Sequence, residues 1–234
     1  MTQTNTYVNE NGLRKFFSKT FSIVALGTII SAVLAYVGSK YVEGFIASHP
    51  GVSLGLILGV IVAELALAII FSSRLMKMSK GAAWFCFIAY SVLTGLSFTV
   101  IVSTYNLGSV ALAFAATTIM FICMSVIGYT SKIDFTKVYS LLLPLFIAGL
   151  VISLLNVFLF KQPWLDLLIT YIGLILFLAL TAADIQKLSN YYYASMSSAE
   201  LADKLMILSA FQLYLDFVNL FIRILEIIGK RKRD

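Results

Sequence analysis

Charge is scarce in this chain: Asp, Glu, Lys and Arg together supply 12% of its 234 residues, where a soluble protein carries roughly 25%. Hydrophobic residues make up 60%, more apolar side chain than a water-soluble fold of this size can hide. Histidine occurs once, at His49 ahead of Pro50, and reads as a turn residue rather than a ligand. Only two cysteines are present, Cys86 and Cys123, both inside long apolar runs and without paired spacing, so they read as small buried apolar residues and not as a disulfide or metal pair. An HExxH zinc pair, a GxSxG elbow and a GxxxxGK[ST] phosphate loop are all missing, which removes the common soluble catalytic constellations. The net charge of +6 is spread over loops and ends and builds no single basic face, so nucleic acid is not the expected partner.

What is present is a series of apolar runs of about 18 residues or more, separated by short loops. They predict seven spans, at 20–42, 52–72, 82–104, 108–130, 139–160, 165–187 and 205–228. Long continuous runs exclude a β-barrel, whose strands are short and alternating. The chain is therefore expected to be an all-α polytopic membrane protein with the lipid bilayer as its surroundings. Residues 1–19 read as a partly disordered N-terminal tail, 20–229 as the transmembrane domain and 230–234 as a basic C-terminal tail. The opening segment lacks the order of a signal peptide, because the apolar run behind it continues for a full span.

Lys and Arg collect in alternate loops. Arg14, Lys15 and Lys19 precede the first span, Arg74, Lys77 and Lys80 follow the second, Lys132 and Lys137 follow the fourth, and Lys187 and Lys204 flank the sixth loop. This asymmetry predicts a cytoplasmic N-terminus. Seven spans would then export "KRKRD", a run that prefers the inside. The last segment must span against that bias, enter and return, or lie in the interface. Its length from Leu205 to Gly229 suits a span at about 1.5 Å per residue.

That last segment carries Ser209, Gln212, Asp216, Asn219, Arg223 and Glu226 at steps of three and four, which align on one face of a helix. A wet interfacial helix is the plain reading, but such helices carry several basic residues along the polar face, and this stripe has one. Asp in mid-membrane costs on the order of 2.5 kcal/mol or more, so Asp216 calls for a partner or a use. Asp184, in "LTAADIQKL" on the preceding span, is the candidate. Counting at about 1.5 Å per residue places the two carboxylates roughly 9 Å and 19 Å from the same side. Two carboxylates in one low-dielectric site cannot both ionise cheaply, which would make the pair a proton-sensitive latch and, when ionised, a contact for an oxygen-seeking cation such as Ca²⁺. The competing reading pairs Asp184 with Lys187 three residues on.

Glu64, midway along the second span, is the other deep carboxylate, and either contacts a passing ion or pairs with Arg223. Arg74, ten residues on, lies about 15 Å away along the helix and out of register. Gly51, Gly55 and Gly59 repeat every fourth residue and predict a face for close helix packing. Pro144 predicts a kink in the fifth span. An intramembrane aspartyl protease would also use two Asp on neighbouring helices, but its GxGD motif is missing, since Asp184 follows Ala183 and Asp216 follows Leu215. No enzymatic activity is expected.

"LYLDFVNLFIRIL" (213–225), "LTAADIQKL", "SVLTGLSF" (91–98) and "MSVIGYTSKIDFT" (124–136) together resemble the Bax inhibitor-1, or transmembrane Bax-inhibitor-motif, family, especially its bacterial members. The resemblance implies six helices around a central polar seventh. It implies a pH-sensitive calcium leak whose di-aspartyl sensor falls on Asp184 and Asp216, with Ca²⁺ as transported ion and no cofactor. Glu64 and Arg74 match in type the acidic residue and arginine of the family's second helix, although "SSRLMKMSK" lacks the basic cluster of some members; Arg223 and Glu226 do not transfer. A bacterial inner membrane is the implied location. The alternative that the resemblance implies is an interaction protein, with a membrane-bound protease or cell-death regulators as partners.

Overall fold

The computed structural model describes residues 10–230. Seven helices among these residues are long and apolar enough to cross a membrane. They are α1 (Glu10–Ser48), α2 (Pro50–Arg74), α3 (Lys80–Thr104), α4 (Leu107–Thr130), α5 (Phe135–Leu155), α6 (Pro163–Ala194) and α7 (Ala199–Ile228). Proline at the first turn opens α2 and α6, where its missing N–H costs nothing. Ser79 and Ser198 cap α3 and α7 by accepting from the backbone N–H groups of Ala82 and Leu201.

Two features differ from the sequence reading. Residues 10–19, expected as tail, extend α1, because Leu13, Phe16 and Thr20 recur at helical spacing and are buried; the rest of that tail, and residues 231–234 of the basic one, lie outside the described residues. The helix α5 continues through Pro144, the site of the expected kink, and a π turn that the sequence reading did not anticipate follows at Asn156–Phe160.

Of the seven, α7 is the most buried. It packs against α1, α3, α4 and α6, whereas α2 rests chiefly on α3, and α5 on α6. Aromatic rings fill the space around it: Phe211 meets Phe71 and Tyr90, and Phe217 meets Phe114 and Phe121, all edge to face. Hydroxyls within this core bond to the carbonyl one turn back, as at Thr20, Ser91, Thr117 and Ser209, so they enter an apolar interior already satisfied.

The tightest helix crossings fall on isolated glycines. A Cβ added at Gly128 of α4 would stand 2.5 Å from the Ala182 carbonyl oxygen of α6, and one at Gly95 of α3 would stand 3.0 Å from the Ser31 carbonyl oxygen of α1. Gly55 and Gly59 behave otherwise, contrary to the packing expected of the glycine repeat: a Cβ at either meets nothing within 4 Å. That stretch of α2 turns its glycine face outward, away from the rest of the chain; Gly51 lies in the same helix.

Both ends of the bundle are clasped. At one end Lys80 pairs with Asp203 at 2.6 Å and Lys204 reaches the Met76 carbonyl at 3.5 Å. At the other the Asn106 N–H donates to the Lys230 carbonyl at 3.0 Å, and the Lys230 N–H to Ser109 Oγ at 3.1 Å. The last helix therefore traverses the bundle from one end to the other, rather than entering and returning.

Candidate functional site

Asp216 lies on the stripe of α7 and is buried, as is Asp184 on α6. The antiparallel packing of the two helices brings these carboxylates within electrostatic reach of each other. Lys187, one turn beyond Asp184, donates to Asp184 Oδ1 at 2.9 Å, with both side chains largely shielded. The two sequence readings of Asp184 thus hold together: it is paired locally and also faces Asp216. The Lys187 ammonium stands 3.0 Å from the centre of the Tyr139 ring of α5, a cation–π contact. Thr181 of α6 faces Asp216 as well, although its hydroxyl donates to the Phe177 carbonyl.

The two carboxylates are not equivalent. Asp184 has a counter-ion, while Asp216 Oδ2 is buried and meets no hydrogen-bond partner. With both carboxylates ionised and Lys187 charged, the cluster carries one net negative charge; one added proton makes it neutral. The unpartnered oxygen of Asp216 is therefore a place for a proton or for a cation. No group of three or more His, Cys, Asp and Glu side chains gathers among the described residues. A resident Ca²⁺ ion takes six to eight oxygen ligands, and Lys187 already neutralises one of the two carboxylates here, so the arrangement suits an ion in transit better than one held.

The other candidates sit apart. Glu64 accepts from Ser97 at 2.7 Å and lines a cavity that Asn219 also lines. Arg223 does not pair with Glu64: it bonds Glu226 on its own helix at 3.1 Å and lies against Gly173 of α6, and Thr170 also donates to Glu226 at 2.9 Å. The local partner at three residues' distance wins over one on another helix. Arg74 is exposed at the end of α2 and forms no ion pair among the described residues. Asn219 spends its amide on the Leu215 carbonyl of its own helix at 2.8 Å. Cys86 and Cys123 are both free thiols.

Tyr139 and Thr181 had no signal in the sequence as members of this site. Lys187 did, as a local partner, but its second role against Tyr139 comes from a helix whose register cannot be read from spacing.

Comparison with known proteins adds a family. The model described as inhibitor of apoptosis-promoting Bax1 matches residues 13–233. The inner membrane protein YbhL of Escherichia coli strain K12 is 34% identical over 223 residues, covering 94% of each chain. A protein of Borreliella burgdorferi is 34% identical over 222 residues, again 94% of each. One of Deinococcus radiodurans is 34% identical over 219 residues, 94% of this chain and 92% of its own.

Proposed function

The chain belongs to the Bax inhibitor-1 family, and on that footing we propose that it is a pH-sensitive calcium leak of a bacterial inner membrane, gated by Asp184 and Asp216. The observation that carries this reading is the buried cluster of two carboxylates and one ammonium, with one Asp216 oxygen left without a donor. Asp184, Lys187 and Thr181 of α6 and Tyr139 of α5 lie within electrostatic reach of Asp216, so a proton entering the cluster changes its balance of one ammonium against two carboxylates. Protonation lets Asp216 donate a hydrogen bond; ionisation makes it accept one or attract a cation. Because α7 packs against four other helices, a change of partner at Asp216 repacks the centre of the bundle rather than its edge.

In this reading α1, α3, α4 and α6 pack around α7, residues 1–9 precede the helical bundle on the cytoplasmic side, and the basic residues 230–234 follow α7 on the opposite side. The name of YbhL supports the inner membrane, and the basic residues gathered with Lys80 and Lys204 at one end of the bundle support a cytoplasmic N-terminus. Glu64 and Asn219 line a separate cavity, apart from the Asp184 and Asp216 cluster. Arg74 and Arg223 lack the geometry of a latch on Glu64. The family model and the named relatives carry no enzyme name, in keeping with a function other than catalysis.

The deciding experiment is Ca²⁺ flux into dye-loaded proteoliposomes across pH 5 to 8 for wild type, Asp184→Asn and Asp216→Asn. A pH-dependent leak in wild type that either substitution abolishes or shifts supports the gate. Flux equal to that of empty liposomes at every pH, from folded protein, rejects it and leaves partner binding as the reading to pursue.

A further inference from the structure

A cavity of about 710 Å³ lies where α1, α2, α3 and α7 meet, on a different set of helices from the Asp184 and Lys187 cluster. Its walls are mostly aliphatic and aromatic, with Val42, Ile57, Val60, Phe98 and Ile222 among them. Its polar groups are few: Ser53 and Thr99 bond their own helices, and Glu64, Ser97, Thr94, Tyr90 and Asn219 remain. Several wall residues, including Leu56, Ile61, Leu65 and Leu96, are also exposed on the outer apolar surface, so the cavity opens sideways toward lipid.

Glu64 has a hydroxyl donor in Ser97 but no cationic partner among the described residues. The two arginines that the sequence offered it are elsewhere, Arg223 on Glu226 and Arg74 exposed at the helix end. Thr94, 1% exposed, lines the same cavity with its hydroxyl within reach of the Glu64 carboxylate. A carboxylate held by hydroxyls but without a counter-charge, in an apolar chamber within the usual 300–1,000 Å³ range of ligand sites, describes a receptor for a cation.

We propose that this cavity binds a lipophilic organic cation, one positive charge carried in an apolar body, with Glu64 as its counter-ion and Tyr90 as an aromatic neighbour. Three arguments select this class. A divalent metal ion needs six to eight oxygens, and one carboxylate among apolar walls cannot replace its water. The amine of a phospholipid headgroup would have to drag its phosphate to mid-membrane, since Glu64 lies roughly 14 Å from Gly55 and roughly 20 Å from Lys77 along α2. A membrane-dissolved cation arrives through the lateral opening, buries its apolar body against the walls and gains a desolvated ion pair. The proposal does not rest on the calcium reading.

The test uses the full chain in phosphatidylcholine nanodiscs, with tetraphenylphosphonium as probe, equilibrium dialysis as readout and empty nanodiscs as the blank. Tetraphenylborate, of the same shape and opposite charge, is the control. Saturable binding of the cation and not of the anion is expected, weakened roughly tenfold or more by Glu64→Gln and lost when Ile61→Trp fills the chamber. Binding to wild type no greater than the blank, equal binding by Glu64→Gln, or equal uptake of the anion overturns the proposal. If Glu64→Gln does not fold, Ile61→Trp decides: full binding by that variant is equally fatal.

Discussion

Lys187 donates to Asp184 at 2.9 Å and leaves Asp216, on the neighbouring helix, with a buried oxygen that no donor reaches. One ammonium serves two carboxylates unequally, and that inequality makes the two positions respond differently to the same substitution.

Asp184→Asn strands a largely buried Lys187 ammonium and is expected to destabilise the fold by about 1–3 kcal/mol. Asp216→Asn breaks no ion pair, since Asp216 Oδ2 has no partner, and is expected to leave stability unchanged or raise it. Thermal unfolding in detergent checks the order; equal losses at both sites would contradict the asymmetry.

Replacing the ammonium itself tests the same pair from the other side. Lys187→Met leaves Asp184 buried and unpaired, at an expected cost of about 3–5 kcal/mol. Combining it with Asp184→Asn should recover most of that loss, so a double-mutant cycle shows the pair lost together costing less than the sum of the two single losses.

Glycines of the two kinds should separate cleanly. Gly128→Ala forces a methyl onto the Ala182 backbone, which cannot give way as a side chain can, and should cost about 1–3 kcal/mol. Gly55→Ala and Gly59→Ala point into open space on an exposed helix face and should be neutral or stabilising by up to about 1 kcal/mol each.

Orientation is open to direct labelling. In a variant with Cys86 and Cys123 replaced by Ala, His49→Cys is expected to react with a membrane-impermeant maleimide added outside intact cells, and Lys132→Cys only after lysis. The reverse pattern would invert the proposed topology while leaving the fold intact.

Much of this was legible in the sequence because helical spacing is a strong signal in a membrane. The steps of three and four from Ser209 to Glu226 placed Asp216 on one face, and Asp184 followed as the carboxylate on the adjacent span. Spacing describes one helix at a time, however. It shows that Gly51, Gly55 and Gly59 make a smooth face but not that Gly55 and Gly59 look outward, whereas Gly95 and Gly128, each alone in its motif, mark the true crossings. It offered Glu64 a partner in Arg223 and could not weigh that against Glu226 three residues away. Tyr139 beneath Lys187 depends on how α5 lies on α6, which no single-helix pattern encodes.

The burial of α7 also sets an order of assembly. The most buried helix follows the other six along the chain, so during synthesis those six enter the bilayer before the element that fills their centre exists. Until it arrives, Phe71, Tyr90 and Phe114 lack their ring partners, Phe121 has only Phe21, and Asp184 has Lys187 but no Asp216. Insertion of the last helix is then the closing step of biogenesis, and the hold of Asn106 and Ser109 on Lys230 is the catch that secures it.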